Sequence, residues 1–187
     1  MEKESRYETT VKRLIGHNLN AEEKVQLYND WSPTFETNNK QFDYTGNSKC
    51  CEVVCKYFPK NIEHIVMLDV GAGTGLLAKE LACKGFKIID GLDPSSGMLK
   101  EAEKKNLYRN LFCTYFTSKP LLFSNPGGII CIVNRRSPFC ESPDYVNKFF
   151  PLCDQLEQEG KWKKEEITTF NGFIENADRI IIVYRVR

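Results

Sequence analysis

From residue 64 onward the chain alternates two kinds of pattern. Short apolar runs without alternation predict strands covered on both faces, and segments with apolar residues every three or four positions predict helices. His64–Val70 is the first such strand, and Gly71–Gly75 is a glycine turn. Leu76, Leu77 and Leu81 then follow with helical spacing up to Gly85, which reads as a C-cap. Lys87–Leu92 is a second strand, Ser95–Asn106 a helix with Met98, Leu99 and Ala102 inward, and Asn110–Phe116 a third strand. Gly128–Asn134 is a fourth strand and Asp144–Glu159 a helix. Lys164–Phe170 and Arg179–Val186, with no helix between them, predict an antiparallel pair.

Upstream the pattern is helical. Asn20 with Glu23 forms a capping-box signature ahead of Val25, Leu27, Tyr28 and Trp31, and Pro33 is expected to end that helix. Residues 32–45 read as an aromatic-rich loop, and Ser48–Phe58 as a second helix. The expected organisation is a polar tail over 1–19 and one domain over 20–187, with a helical cover at 20–60 and a sheet core at 64–187. Strand–helix alternation predicts an α/β fold of three layers, mostly parallel, with an antiparallel C-terminal strand.

Composition narrows the classes. The 187 residues suit one core and carry 26 basic against 25 acidic side chains, a net charge of +1. That balance does not indicate nucleic acid or an anionic membrane as the main partner. No apolar run approaches the ~20 residues of a membrane span, and residues 1–13 carry no apolar leader core. A cytoplasmic monomer is expected, with the nucleus left open. The eight cysteines include no C-x-x-C pair and there are two histidines, so reduced, mostly buried thiols are expected and no metal site. Cys50, Cys51 and Cys55 share one predicted helix and are the place where a metal would be looked for.

The chemistry concentrates at Leu68-Asp69-Val70-Gly71-Ala72-Gly73-Thr74-Gly75. Glycines at 71, 73 and 75 allow a tight turn and a close backbone approach to a ligand. In a dinucleotide fingerprint the third glycine would stand at position 76, which is Leu76. A nicotinamide-dependent oxidoreductase is therefore the minor reading. Asp69 precedes the turn, where it can face a cationic group. Asp93 ends the second strand, eighteen residues beyond Gly75, where an acid can accept hydrogen bonds from two ribose hydroxyls. Taken separately, the turn is an ordinary strand–helix connection, and Asp93-Pro94-Ser95 an ordinary helix cap. On consecutive strands they suggest a nucleoside-containing ligand.

Leu68–Gly75 resembles motif I of the class I S-adenosylmethionine-dependent methyltransferases, and Gly91–Ser95 resembles their second motif. Asn125–Ile130 is similar to their turn and strand-five signature, and Tyr28–Tyr44 and Gly91–Leu99 look most like the methyltransferase-like branch of the Williams–Beuren syndrome region. The resemblance covers about residues 20–187 and implies a Rossmann-like sheet, S-adenosylmethionine as cofactor and an unknown methyl acceptor. It implies that Asp69 reaches the methionine amino group and that Gly71, Ala72, Gly73, Thr74 and Gly75 back the methionine and ribose. Asp93, with Pro94 and Ser95, would hold the ribose, and Met98 would pack on the adenine. Cys113 and Thr114 stand where adenine-edge contacts fall, without the usual acid. Tyr28, Trp31 and Tyr44 fall in the N-terminal cover, where aromatic packing competes with ligand contact as their role.

Ten residues, Thr117–Pro126, separate the third strand from Gly127, too few for the family's fourth strand and its helix. The expectation is a sheet without that unit, closed directly between the first strand and 128–134 rather than left with a gap in mid-sheet, as alternative splicing or a gene-model error would give. No catalytic residue is assigned: His64 lies at the wrong end of the first strand and His17 in the tail. A catalytically impaired protein that binds cofactor weakly, or acts through a partner, stands beside the enzyme reading.

Overall fold

The computed structural model describes residues 19–40, 45–115, 126–141, 143, 145–171 and 178–187. The chain divides into two compact units, one from residues 1–41 and 63–116, the other from 42–62 and 117–187.

In the first unit, α1 (Ala21–Trp31) begins on the expected capping box. Glu23 N donates to Asn20 Oδ1 and Asn20 N to Glu23 Oε2, both at 2.8 Å. Pro33 does not turn the chain into a loop. A 3-10 turn, Ser32–Thr34, leads into α2 (Phe35–Lys40). Proline in a first helical turn gives up an N–H that has no intrahelical partner anyway. Strands β1 (Val66–Val70), β2 (Ile88–Asp93) and β3 (Asn110–Cys113) form a parallel sheet in the order β1-β2-β3. Helices α4 (Leu76–Lys84) and α5 (Ser96–Glu103) make the crossovers. Gly85, at φ 106°, ends α4 as predicted. Helix α5 stops at Glu103, short of Asn106, which takes φ 51°.

The expectation that β1 is covered on both faces fails. Asp69 is buried, but Val66, Leu68 and Val70 on the opposite face are 59%, 44% and 44% exposed. The apolar pattern marks a face that can be buried. It does not specify a neighbour, and within this unit no described element covers it.

In the second unit, α3 (Gly46–Tyr57) buries Cys50, Cys51 and Val54. Strands β4 (Ile129–Arg135), β5 (Trp162–Asn171) and β6 (Asp178–Val186) form an antiparallel sheet in the order β4-β6-β5. The predicted β5–β6 pair is therefore present. Helix α6 (Arg136–Glu141) has no counterpart in the sequence reading. The expected long helix is interrupted: Tyr145–Phe149 is a π-helical turn, and α7 (Phe150–Gln158) restarts beside Pro151. Cys153 and Leu156 of α7 pack with Trp162, Ile180, Ile182, Tyr184 and Val186 into this unit's core.

The α/β class is the observed one, with a parallel and an antiparallel part. The two parts are separate three-stranded sheets among the described residues, and the expected direct closure of β1 on the 128–134 strand is absent. The expectation rested on the penalty of burying an unpaired edge. Within its own unit β1 is an edge strand, and polar groups along an edge open to water carry no such penalty.

Candidate functional site

The site is built at the carboxyl ends of β1 and β2. Register puts Asp69 opposite Gly91 and Asp93 opposite Cys113. The turn after β1 is drawn onto β2 by two bonds, Gly71 N and Ala72 N donating to Leu92 O at 2.8 and 3.1 Å. Gly71, Gly73 and Gly75 all have positive φ, at 77°, 53° and 85°. A Cβ on Gly71 would meet nothing within 4 Å, and one on Gly73 only Gly71 O at 3.9 Å. The turn therefore leaves an open cradle beside bare backbone. Gly75 is different, because its Cβ would press Tyr108 at 3.1 Å. That glycine serves packing as well as φ.

Asp93 is the hinge of the arrangement. Its Oδ2 accepts from Gly73 N at 2.9 Å and its Oδ1 from Ser95 N at 2.8 Å. Each oxygen keeps a further lone pair for a ligand hydroxyl. Burial raises its pKa, and the two backbone N–H groups oppose that rise. Asp69 is 8% exposed and accepts from Tyr108 Oη at 2.7 Å. Burial pushes its carboxyl up to about 6, with the Tyr108 bond pulling down and the charge of Asp93 pushing up. Two buried acids beside an open glycine cradle suit a ligand with a cationic group and a diol, and disfavour a diphosphate.

Ser95 caps α5 by accepting from Met98 N at 3.1 Å. Its hydroxyl donates to Asn29 Oδ1 at 2.7 Å, and Gly97 N donates to the same oxygen at 2.9 Å. Asn29 thereby ties α1 to the start of α5. The approach is close: a Cβ on Gly97 would stand 2.8 Å from Ser32 Oγ and 2.9 Å from Asn29 Cα. Gly97→Ala is expected to destabilise this unit by about 1–3 kcal/mol, since the Asn29 backbone has to shift. A lowered melting temperature, with hydrogen exchange accelerated in α1, checks it.

The structure brings together Asp69, the 71–75 turn, Asp93, Pro94 and Ser95. Met98 is 2% exposed, its side chain covered by the protein itself. Cys113 ends β3 and Thr114 follows it, both exposed, with Cys113 Sγ 3.7 Å from Pro94 O. Trp31 is buried, stacked on Tyr28 with ring centres 6.2 Å apart, edge-on to Phe35, and donating from Nε1 to Asn38 Oδ1. These contacts pack Trp31 between α1 and α2, and Tyr28 remains half-buried. Tyr44 lies outside the described residues.

Sequence reasoning missed Asn29, Gly97, Lys105 and Tyr108. Lys105 Nζ donates to Thr74 O at 2.7 Å and Glu36 Oε1 at 2.6 Å, pinning the turn to α2. A tyrosine in the short polar segment between α5 and β3 was the available signal for Tyr108. All eight cysteines are free thiols, and Cys50 Sγ lies 3.8 Å from Cys131 Sγ. Among the described residues no three His, Cys, Asp or Glu side chains gather as a metal site, and no helix is long and apolar enough to cross a membrane.

A parallel β1-β2-β3 sheet with a three-glycine turn after β1 and an acid ending β2 is the first half of a Rossmann-like fold. Residues 67–144 match the family model described as a methyltransferase domain. Human methyltransferase-like protein 27 is 25% identical over 170 residues, covering 75% of this chain and 69% of that protein. Among solved structures, a SAM-dependent methyltransferase from Leishmania major superposes with a TM-score of 0.60 at 14% identity, covering 95% of this chain and 90% of its own. The N-methyltransferase NodS from Bradyrhizobium japonicum does so at 0.58 and 12% identity, covering 77% and 98%. The plantazolicin methyltransferase BpumL, solved in complex with SAH, does so at 0.55 and 14% identity, covering 95% and 94%.

Proposed function

We propose that this protein is an S-adenosylmethionine-dependent methyltransferase acting on an acceptor still to be identified. The observation that carries the reading is the open cradle at Gly71 and Gly73, bordered by the two buried acids. The donor set fits the cofactor. Asp69 would face the methionine ammonium, the turn would lie along the methionine and ribose, and Asp93 would accept from the ribose hydroxyls. Pro94, Ser95, Cys113 and Thr114 would border the nucleoside, and Tyr28, Trp31 and Tyr44 belong to the cover. Met98 would act from beneath, since its side chain is buried.

When bound, S-adenosylmethionine supplies a methyl group on a sulfonium that an acceptor nucleophile can attack in line. The chain's own contribution is alignment and exclusion of water, which accelerate such a transfer without a general base. The reading takes residues 20–187 as one functional domain in a soluble, cytoplasmic, monomeric protein. A second reading, cofactor binding with impaired turnover in a splice-shortened chain, is favoured by the division of the strands into two sheets and the ten residues where the family has a strand and helix.

Gly73→Ala tests the cradle. At φ 53° an alanine costs about 1–2 kcal/mol, and its methyl meets no protein atom closer than 3.9 Å. The variant is expected to fold, melt a few degrees lower and bind labelled S-adenosylmethionine at least tenfold more weakly in equilibrium dialysis. Wild-type affinity in the folded variant would place the ligand elsewhere.

A further inference from the structure

We propose that Tyr108 is a positioning residue of the cofactor site, whose phenol fixes the orientation of the Asp69 carboxylate and keeps it ionised at neutral pH. The inference deepens the function proposed above, because it rests on Asp69 as the partner of the cofactor's ammonium.

The geometry places Tyr108 for this task. Its ring lies over the backbone of Gly91 in the middle of the sheet, where a Cβ would approach within 2.8 Å of the ring. The same ring borders Gly75, beside Ala102 of α5. Two glycines on separate elements therefore make room for one aromatic side chain. From that seat Oη reaches across from the segment before β3 to Asp69 Oδ2 on β1, at 2.7 Å. β2 lies between those two strands, so only a long side chain crossing over a glycine can span the gap. The donor is a phenol rather than a cation. It stabilises the carboxylate without neutralising it, so the negative charge stays available for a ligand cation.

The groups that act on Asp69 are known from each side. Tyr108 faces it across the sheet, and Asp93 at the end of β2 raises its pKa by like charge. Lys105, on the α5 side, is committed to Thr74 O and Glu36. The phenol's own pKa is raised, first by burial and then by Asp69, so it stays protonated and remains the donor. Among the hydrogen bonds of Asp69, the Tyr108 bond is the one that favours the charged form.

The test is Tyr108→Phe in the full chain, read in two ways. Without ligand, the Asp69 carboxyl is titrated by carbon NMR in both proteins. The midpoint is expected near pH 6 in the wild type and at least one unit higher in the variant. With S-adenosylhomocysteine, affinity at pH 6.5 is expected to fall about threefold or more, as the ionised fraction of Asp69 falls, and to recover to within twofold of wild type at pH 9. An unmoved carboxyl midpoint overturns the proposal. So does an affinity loss equal at all pH values, which marks Tyr108 as packing alone. If the midpoint moves and the wild type binds no S-adenosylhomocysteine at any pH, the link to the cofactor is overturned together with the proposed function, while the Tyr108–Asp69 coupling stands.

Discussion

Asp69→Asn is expected to make the protein more stable at neutral pH and at the same time a much poorer cofactor binder. The Asp69 carboxyl is raised from 3.8 to about 6 by burial. An acid whose folded pKa lies above its unfolded value holds its proton more tightly in the native state. Stability is therefore highest below about pH 4 for this group and falls as pH rises through the window from about 4 to 6. Above that window the penalty is complete, on the order of 3 kcal/mol. Asparagine is neutral, has nearly the same shape, and keeps a carbonyl to accept from Tyr108 Oη. Its buried NH2 needs a partner and takes back about 1–3 kcal/mol. The expected net is a gain near 1 kcal/mol, or about 2–4 °C in melting temperature for a chain of this size. The lost charge removes the ammonium contact, so affinity drops tenfold or more. Melting curves at pH 5 and 7.5 check this: the variant should lose much of the pH dependence between them. A variant less stable than wild type at pH 7.5, with the same pH slope, contradicts the account.

Asp93→Ala is expected to damage fold and binding together. The Asp93 carboxylate accepts from Gly73 N and Ser95 N, so its removal leaves both donors unpaired as well as the ribose unheld. A fully buried orphaned N–H costs about 1–3 kcal/mol, which applies in full to Ser95 N and in part to the half-buried Gly73 N. Together they take a large share of a total stability near 5–15 kcal/mol. The expected outcome is a melting temperature lower by about 10 °C and no measurable cofactor binding. Asp93→Asn should fall between, since one carbonyl oxygen can still serve one N–H while the amide group faces the other. A melting temperature for Asp93→Ala within about 2 °C of wild type would show that these bonds do not carry the turn.

The parts of the site legible in the sequence were those with local signatures. Three glycines in five residues declared the turn, and Asp93 declared itself by ending an apolar run. Asn20 and Glu23 announced the capping box before a helix that starts where expected. The parts that stayed hidden depend on residues distant along the chain. Asn29 meets Ser95 and Gly97 across more than sixty positions, and no local pattern marks that contact. Tyr108 acquires its role from Gly91 and Gly75, which leave space over the sheet. Interruption of the predicted 144–159 helix beside Pro151 was readable, because proline's ring and missing N–H favour a helix start there over its middle. Assembly of the strands into two sheets was not, because an apolar run such as Val66–Val70 records what can be buried and not which neighbour does it.

The central claim is that the cradle between Asp69, the glycine turn and Asp93 holds a cationic, amino-acid-bearing nucleoside. Calorimetric titration of the full chain with S-adenosylmethionine, S-adenosylhomocysteine and NAD at pH 7.5 tests it most directly. Saturable binding of the first two and no heat with NAD is the predicted result; binding of NAD alone, or of none of the three, contradicts it.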